Sequence, residues 1–405
     1  MNKIMKHKFL VGMTVILVIG LLLASCAPKP ATTSAFEWPE PLVWGSHDMN
    51  TGGYIIAAAV ADAFNRAEGM TVRVVPTGTD IAKMTLLANK RVHISWIMAG
   101  TFFAQEGLED FAAINWGPQP MRYIIGSLSN VCLASAADAN INSAADLKGK
   151  RVAYIVGYPA ANIIPTAWLR FANLTWDDVE KVEFPSASAS KQGMIDGTAD
   201  AIYGLTTTAA NYQLESSPRG LKFVSLPHDD NEGWERIAEI MPYMVRRVAT
   251  EGAGGLSETN TIECGGYPNP GLNALADTDA DLVYNQTRLM VELFPQYSQV
   301  KAPGIGGLAL DQQSGFKWTV PYHEGAIRYY KEIGVWTDEA QQQTDRLIER
   351  QKVLQQAWDK ALDEAIKQEV KSTNFPKLWY EIRGQALVAA GFDPYYKGTG
   401  FDPWD

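Results

Sequence analysis

The chain has 405 residues and a formal net charge of −10, with 46% hydrophobic and 20% charged residues. These proportions are typical of a folded globular protein of about two domains, and they exclude an intrinsically disordered chain. The acidic balance argues against nucleic-acid binding, which requires basic patches, but a small ligand can bind in a local pocket of opposite sign.

The first 26 residues have the features of a bacterial secretory leader. Three lysines precede an apolar run over residues 9–23, which is too short for a membrane span of about 20 residues. The run ends in Leu-Ala-Ser-Cys, which resembles a lipobox, and a diacylglycerol on Cys26 would supply two acyl chains for stable anchoring. We therefore expect a lipoprotein signal peptide over 1–25, lipidation of Cys26, a tether over 26–36, and an extracytoplasmic protein that is lipid-anchored to a membrane. A plain signal peptide is the alternative.

A strand, a glycine-rich loop and a helix form the first unit after the tether. Leu42–Trp44 is a short apolar strand, residues 45–54 are rich in Gly, Ser, Thr and Asn, and Ile55–Phe64 has an alanine-rich helical pattern. Free N–H groups at a helix N-terminus attract anions, and glycines let a ligand approach the backbone. An ordinary turn that needs glycine is the alternative. Similar loops recur at Pro76–Thr79 and Gly157–Asn162, which favours a ligand site.

Strands and helices alternate along most of the chain. The predicted strands are Leu42–Trp44, Thr71–Val75, Val92–Ile97, Met121–Ala134, Arg151–Val156, Val182–Phe184, Ala199–Tyr203, Lys222–Ser225 and Thr261–Gly266. The main predicted helices are Tyr54–Arg66, Asp80–Lys90, Asn142–Lys148, Ile163–Phe171, Asp279–Leu293 and a long one from Asp338 to about Lys371. Strands separated by such helices form parallel βαβ units, in which ligands bind outside the strand carboxyl ends.

This alternation occurs in two blocks, which predicts two α/β lobes with a central cleft. We assign residues 37–134 plus 227–337 to lobe 1 and residues 135–226 to lobe 2. Residues 338–405 are expected to form a C-terminal helical extension that packs on the body, because its apolar repeat is too short and irregular for a coiled coil.

Two cysteines remain after Cys26. Cys132 and Cys264 could form a disulfide in an oxidising compartment, but two buried thiols are the commoner arrangement. Spacing alone does not decide between these possibilities.

Three segments resemble the TAXI-type solute-binding proteins of tripartite ATP-independent periplasmic (TRAP) transporters. Residues 51–54 (Thr-Gly-Gly-Tyr) are similar to the first glycine-rich loop of that family, and residues 76–80 (Pro-Thr-Gly-Thr-Asp) to its second loop. Residues 321–330 (Pro-Tyr-His-Glu-Gly-Ala-Ile-Arg-Tyr-Tyr) are similar to its C-terminal signature. A fourth segment, residues 145–152, is shared more widely among solute-binding proteins.

The resemblance implies a type II periplasmic-binding-protein fold that closes on a small-molecule ligand and delivers it to a TRAP-type membrane permease. Members of that family are associated with dicarboxylates and amino acids, so we expect a carboxylate or amino-acid ligand, no cofactor and no enzymatic activity. The residues carried over as ligand contacts of lobe 1 are Thr51, Gly52, Gly53, Tyr54, Thr77, Gly78 and Thr79, with Gly100 and Thr101 in a further small polar loop.

Lobe 2 departs from the family pattern at both of its loops. Residues 157–162 and 205–208 stand where that family has a Gly-Ser-Gly-Thr loop and a Gly-His-Pro turn. The aromatic side chain in the first loop points to an apolar or aromatic-lined pocket. The contacts expected from these two loops are Tyr158, Ala161, Asn162, Thr206 and Thr207.

Two other function classes stay open at this point. A metal-binding lipoprotein could use His47, Asp48 and their neighbours, although a metal site needs three or four converging ligands. A secreted enzyme is less favoured, because the sequence has no GxSxG, HExxH or P-loop pattern.

Overall fold

The structure is a computed structural model that describes residues 36–49, 51–300, 302, 304–313 and 318–394. The expected signal peptide, the lipidation site Cys26 and nearly all of the tether lie outside the described residues. Within these ranges, no helix has both the length and the apolar character that a membrane crossing requires.

The described elements are numbered here in chain order. The strands are β1 Leu42–Ser46, β2 Val72–Pro76, β3 Ile94–Ile97, β4 Met121–Ala136, β5 Arg151–Ile155, β6 Glu180–Phe184, β7 Ala201–Leu205, β8 Leu221–Val224, β9 Val245–Ala249 and β10 Ile262–Leu275. The helices are α1 Gly52–Glu68, α2 Asp80–Ala88, α3 Gly100–Glu106, α4 Pro159–Phe171, α5 Ala187–Ile195, α6 Ala209–Glu215, α7 Asn231–Ile240, α8 Ala280–Glu292, α9 Phe294–Tyr297, α10 Glu324–Glu332, α11 Asp338–Lys367 and α12 Phe375–Ala389.

The strands form one sheet in the order β2-β1-β3-β10-β4-β7-β5-β6, with β8 paired to β4 and β9 to β10. Strands β1, β2 and β3 are parallel and are called the first strand group; β5, β6 and β7 are parallel and are called the second. The long strands β4 and β10 are antiparallel and join the groups, since β10 pairs with β3 and β4 pairs with β7. The predicted α/β fold class, with a central sheet and additional C-terminal helices, is confirmed.

Strand β10 is the largest difference from the sequence-based prediction. The pattern indicated a strand only to Gly266, because the following Tyr-Pro-Asn-Pro-Gly reads as a turn. In the structure the strand continues to Leu275, and its pairing with β4 shifts register between Pro268 and Gly271. A bulge accommodates residues that cannot donate to the ladder, so prolines there do not end the strand. Strand β9 and helices α7 and α12 were not predicted from the sequence.

The loops that follow the first-group strands are held by helix caps. The hydroxyls of Thr51 and Thr79 each accept the backbone N–H group three residues later, at the starts of α1 and α2. In the second group Ser186 caps α5 in the same way. Side-chain oxygens that satisfy the first N–H groups of a helix stabilise it by about 1 kcal/mol each. These caps fix the position of the short loops at the strand carboxyl ends.

The two C-terminal helices, α11 and α12, pack against each other and against α3. A buried ion cluster anchors them: Glu106 lies 2.7 Å from Arg350 Nε and 2.5 Å from Arg383 Nη2. The described residues from Trp38 onward form a single compact unit, so the boundaries assigned to the two lobes stay a prediction.

Cys132 and Cys264 lie on β4 and β10 in one buried cluster with Ala134, Phe223 and Ala249. Both are free thiols in the structure. Of the two arrangements that the sequence allowed, the structure therefore has the buried thiols.

Candidate functional site

A cavity of about 560 Å³ lies between the two strand groups. Its wall is formed by the loop after β1, the start of α1, the helices α5 and α6, and the residues near the register shift of β10. The wall residues are His47, Met49, Thr51, Gly52, Gly53, Ile55, Met98, Tyr158, Ala187, Ser188, Lys191, Gln192, Ile195, Tyr203, Leu205, Thr208, Ala209, Ala210, Gln213, Asn269 and Pro270.

His47 contributes the imidazole of the first-group wall. It is only 5% exposed, and neither of its ring nitrogens has a hydrogen-bond partner among the described residues. Burial, and secondarily the charge of Lys83, lowers the pKa of His47 well below its ordinary value, so the ring is neutral at physiological pH. A Cβ atom at Gly53 would lie 2.6 Å from His47 Nδ1, which explains why glycine is needed at that helix position.

Lys191 contributes the charge of the second-group wall. Its ammonium donates to the backbone carbonyl of Tyr203 at 2.8 Å and lies 4.4 Å from the centre of the Tyr203 ring. No carboxylate pairs with it in the described ion pairs, and burial lowers the pKa of Lys191 to about 7. An ammonium held by a carbonyl and a ring face is poised to accept an anionic partner.

Asn269 brings an amide to the wall from β10. Its side chain is 1% exposed, and its Nδ2 donates to no described acceptor, whereas its backbone carbonyl accepts the Ser129 hydroxyl at 2.6 Å. Buried polar groups in native proteins are normally paired, because an unpaired one costs about 1–3 kcal/mol. The unpaired groups of His47 and Asn269 therefore indicate a ligand or water position.

Direct contacts join the two strand groups beside the cavity. Asp80 and Lys83 of α2 form a fully buried ion pair at 3.4 Å, and Asp80 Oδ2 accepts the backbone N–H of Ala160 at 3.2 Å. Lys83 Nζ also donates to the Tyr158 hydroxyl at 3.4 Å. Burial raises the pKa of the Asp80 carboxyl, although Lys83 and the Ala160 N–H oppose that rise. A carboxylate of this chain thus occupies the N-terminus of α4, a position that attracts anions.

A further contact crosses at the edge of the wall. The hydroxyl of Ser188 on α5 donates to Asp48 Oδ2 at 2.6 Å. Asp48 itself is not a wall residue, although its neighbours His47 and Met49 are. Its carboxylate is thus engaged with the opposite strand group.

Four residues predicted as ligand contacts lie in the cavity wall, namely Thr51, Gly52, Gly53 and Tyr158. Tyr54 and Thr207 are not in the wall. The backbone carbonyl of Thr206, also outside the wall, accepts the N–H of Ala253 at 2.9 Å.

Other predicted contacts have structural roles instead. Thr77 donates to the Ser46 carbonyl at 3.0 Å, Thr79 caps α2, and Thr101 donates to the Met98 carbonyl at 2.8 Å. These three hydroxyls are used by the backbone of their own strand group.

Small residues among the predicted contacts serve close packing. A Cβ at Gly100 would lie 2.4 Å from the Asp80 carboxylate, and one at Gly78 would lie 3.2 Å from Ser186 Cβ. Ala161 is buried in α4, and Asn162 bonds the backbone N–H and carbonyl of Ile155 at 2.7 and 2.8 Å. In the structure these residues position the loops rather than line the cavity.

Among the wall residues that the sequence did not predict are Lys191, Asn269 and His47. Lys191 lies on a helix that follows a strand and a serine cap, the same strand–loop–helix pattern that pointed to the other loops. Asn269 gave no such signal, because it lies between two prolines in a segment that resembles a turn. His47 was weighed as a metal ligand, and among the described residues no group of three His, Cys, Asp or Glu side chains could hold a metal ion.

Residues 50–334 match the model of the NMT1-like family, and this span is more than half of the chain. The chain belongs to the NMT1-like family. All three motifs of the TAXI resemblance fall inside the matched span.

Several solved structures are similar to part of this chain. An ancestral arginine-binding protein bound to arginine has 13% sequence identity and a TM-score of 0.41, over 65% of this chain and 97% of its own. The periplasmic aliphatic sulphonate binding protein SsuA from Escherichia coli has 15% identity and a TM-score of 0.37, over 68% and 79%. The substrate binding protein of an amino acid ABC transporter has 13% identity and a TM-score of 0.37, over 64% and 96%.

Proposed function

We propose that this chain is an extracytoplasmic solute receptor that binds a small organic carboxylate or amino acid and delivers it to a TRAP-type membrane permease. The observation that carries the proposal is the cavity between the strand groups, with its unpaired buried polar side chains His47 and Asn269. Pockets with mostly apolar walls and a few polar groups are typical of small-molecule sites. Lipidation of Cys26 would hold the receptor at the membrane.

The resemblance to the TAXI group supports the choice of permease. The segments 51–54, 76–80 and 321–330 carry that resemblance, and all three lie within the span that matches the NMT1-like family, residues 50–334. In the proposed mechanism, a ligand that contacts both strand groups stabilises the closed state through its higher affinity for that state. The closed surface is then the one that the permease recognises.

The binding half of the proposal is tested by a thermal-shift screen with organic acids and amino acids in the presence of a chelator. A ligand that binds only the native state stabilises it by about 2.7 kcal/mol at a hundredfold excess over Kd. Gly53→Val should abolish the shift, because a side chain there displaces His47. Gly306→Val is the matched control, since nothing lies within 4 Å of the added Cβ. Unchanged binding by folded Gly53→Val protein would remove the cavity from the proposal.

The transport half is tested in proteoliposomes that contain a TRAP-type permease. Uptake of the labelled solute found in the screen should require the added receptor and should fail with Gly53→Val. Uptake that is equally fast without the receptor would contradict the delivery role. The same measurement separates a transport receptor from a lipoprotein that binds the solute for another purpose.

A further inference from the structure

We infer that the solute is an organic monocarboxylate that carries no ammonium group, and that Lys191 is the residue that pairs with its charge. This inference rests on the proposed function and narrows its ligand class, since carboxylates and amino acids both satisfied that proposal. It assigns Lys191, Asn269 and His47 to the ligand, three residues that the sequence motifs did not mark.

The charge of the cavity wall is the first argument. Among the described wall residues Lys191 is the one charged side chain, and none is Asp or Glu. His47 is neutral, because burial lowers its pKa. An anion that enters gains a counter-charge in a partly desolvated site, whereas a cation meets like charge and no carboxylate.

The unpaired donors are the second argument. The Nδ2 group of Asn269 and one nitrogen of the neutral His47 ring can each donate a hydrogen bond, and neither has a described acceptor. A carboxylate has two oxygens that together accept about four hydrogen bonds. A carboxylate therefore has enough acceptor capacity for the ammonium of Lys191 and for both unpaired donors. Neutral solutes offer fewer acceptors and no charge.

An α-amino acid fits this wall less well than the acid without its amino group. The ammonium of an amino acid needs acceptors, and in binding sites a carboxylate commonly supplies them. Asp48 is adjacent in sequence to two wall residues, but it is outside the wall and accepts the Ser188 hydroxyl at 2.6 Å. The ammonium of an amino acid would be a second cation beside Lys191, and the described wall has no carboxylate to offset it. The affinity for the amino acid should therefore be lower than for the acid without the amino group.

One anion position near the cavity, the N-terminus of α4, is already filled. The N-terminus of α4 receives the Asp80 carboxylate, which is fully buried and paired with Lys83. A ligand carboxylate could bind there only by displacing that buried pair, and removing one partner of such a pair costs about 3–5 kcal/mol. Lys191 on α5 is therefore the charged side chain of the described wall that is left open to a ligand carboxylate.

The remainder of the wall indicates an apolar ligand body. Ile55, Met98, Ile195, Leu205 and Pro270 contribute aliphatic and thioether surface to the same cavity. Burying such surface against a ligand stabilises the complex by about 25 cal/mol per Å² of apolar area removed from water. A branched aliphatic or arylalkyl chain matches this wall, and a second carboxylate has no second cation to meet in it.

The experiment is calorimetric titration with two matched ligand series. The first is 4-methylpentanoate, leucine and 4-methylpentanamide; the second is 3-phenylpropanoate, phenylalanine and 3-phenylpropanamide. In at least one series the carboxylate should bind about tenfold or more tightly than its amino acid and its amide, as expected for a charge-assisted contact. Lys191→Met should remove that advantage over the amide. Lys181→Met is the matched control, since Lys181 is an exposed lysine on β6 of the same strand group.

Each outcome separates the inference from the proposed function. Tighter binding of the amino acid would overturn the inference, point to Asp48 as the ammonium partner, and leave a solute receptor standing. Equal binding of carboxylate and amide, or an unchanged preference in Lys191→Met, would overturn the role of Lys191. If none of the six binds at millimolar concentration, the inference fails, and the broader thermal-shift screen then decides the proposed function separately.

Discussion

Two buried polar clusters in this molecule differ in whether their groups have partners. At the C-terminal helices, Glu106 is 1% exposed and its carboxylate is bonded by both Arg350 and Arg383. In the cavity, His47 and Asn269 are similarly buried, yet their side-chain donors have no described partner. The first cluster is complete within the chain, and the second is incomplete without an added molecule.

The two clusters have different roles, since the first stabilises the fold and the second is suited to bind a ligand. Buried charges are tolerated when each has a hydrogen-bonded counter-charge, so the Glu106 cluster serves to dock α11 and α12 on α3. Unpaired buried donors lower the stability of the empty protein, and a ligand that accepts their hydrogen bonds recovers that loss as affinity. Mutations in the two clusters should therefore have opposite effects on stability and on binding.

The largest expected effect is that of Glu106→Gln. Burial alone raises the pKa of the Glu106 carboxyl, but the two guanidinium groups outweigh burial and lower it to about 2. Removing the negative charge takes from two buried arginines the carboxylate that both of them bond, which should lower the free energy of unfolding by about 3–5 kcal/mol. Chemical denaturation measures this loss, and ligand affinity of the folded fraction should be unchanged.

The control for this variant is Glu381→Gln on the exposed face of α12, which should change stability by less than about 0.5 kcal/mol.

The pH dependence of stability gives a second check on Glu106. Because the folded pKa of Glu106 lies below the unfolded value, its stabilisation is present above about pH 4.5 and is lost as pH falls toward 2. If Glu106→Gln is as stable as the wild type at neutral pH, the Glu106 cluster does not anchor the helices.

The next effect is a pH dependence of carboxylate binding. Burial lowers the pKa of Lys191 to about 7, so the ammonium is charged below that pH and neutral above it. The other titratable wall groups are His47, Tyr158 and Tyr203, and none changes charge near neutrality, since the pKa of His47 is lowered and those of the tyrosines are raised. Affinity should be highest near pH 6, where the ligand is ionised and Lys191 is charged, and should fall about tenfold between pH 6 and 8.

Titrations at several pH values measure this dependence. Lys191→Met should give a flat profile, because the group that loses its proton is absent. A wild-type affinity that rises with pH across this range would contradict the assignment of Lys191 as the charge partner. The sign of the slope is thus as informative as its size.

The smallest expected effect is that of His47→Leu, and it has the opposite sign to that of Glu106→Gln. Replacing an unpaired buried imidazole with an aliphatic side chain should keep or raise the free energy of unfolding, by up to about 1–2 kcal/mol. Ligand affinity should fall several-fold, since one hydrogen bond to the ligand is worth about 0.5–1.5 kcal/mol.

His93→Leu is the comparison for that variant. The Nδ1 atom of His93 accepts the backbone N–H of Val43 at 3.0 Å, so its loss leaves a donor unpaired and should lower stability without affecting binding. If His47→Leu destabilises the protein as much as His93→Leu does, the two histidines play the same structural role. The contrast between clusters would then fail.

Local patterns in the sequence predicted most of the fold. The βα units of both strand groups follow from alternating apolar runs and helix caps such as Thr79 and Ser186, which act over a few residues. The length of β10 could not be predicted, because its pairing with β4 overrides the turn preference of Pro268 and Pro270.

The candidate site was harder to predict than the fold. The loop residues 51–53 and Tyr158 carry a local signal and do line the cavity. By contrast, Asp80 filling the α4 N-terminus and the unpaired state of His47 depend on residues far apart in sequence. Whether a polar group is paired is a property of the tertiary structure, and at the site it is unpaired groups in the wall of a cavity that point to a ligand.

The interrupted pairing of β10 has a kinetic consequence. Asn269 lies at one of the two points where the register with β4 shifts, so a wall residue of the cavity sits at an interruption of the ladder that joins the two strand groups. Flexing at that point moves Asn269 relative to both groups, and a bound solute restrains it. We therefore expect the residence time of the solute to be set by how often these strands flex, so that dissociation slows with viscosity and responds little to changes in the apolar ligand body.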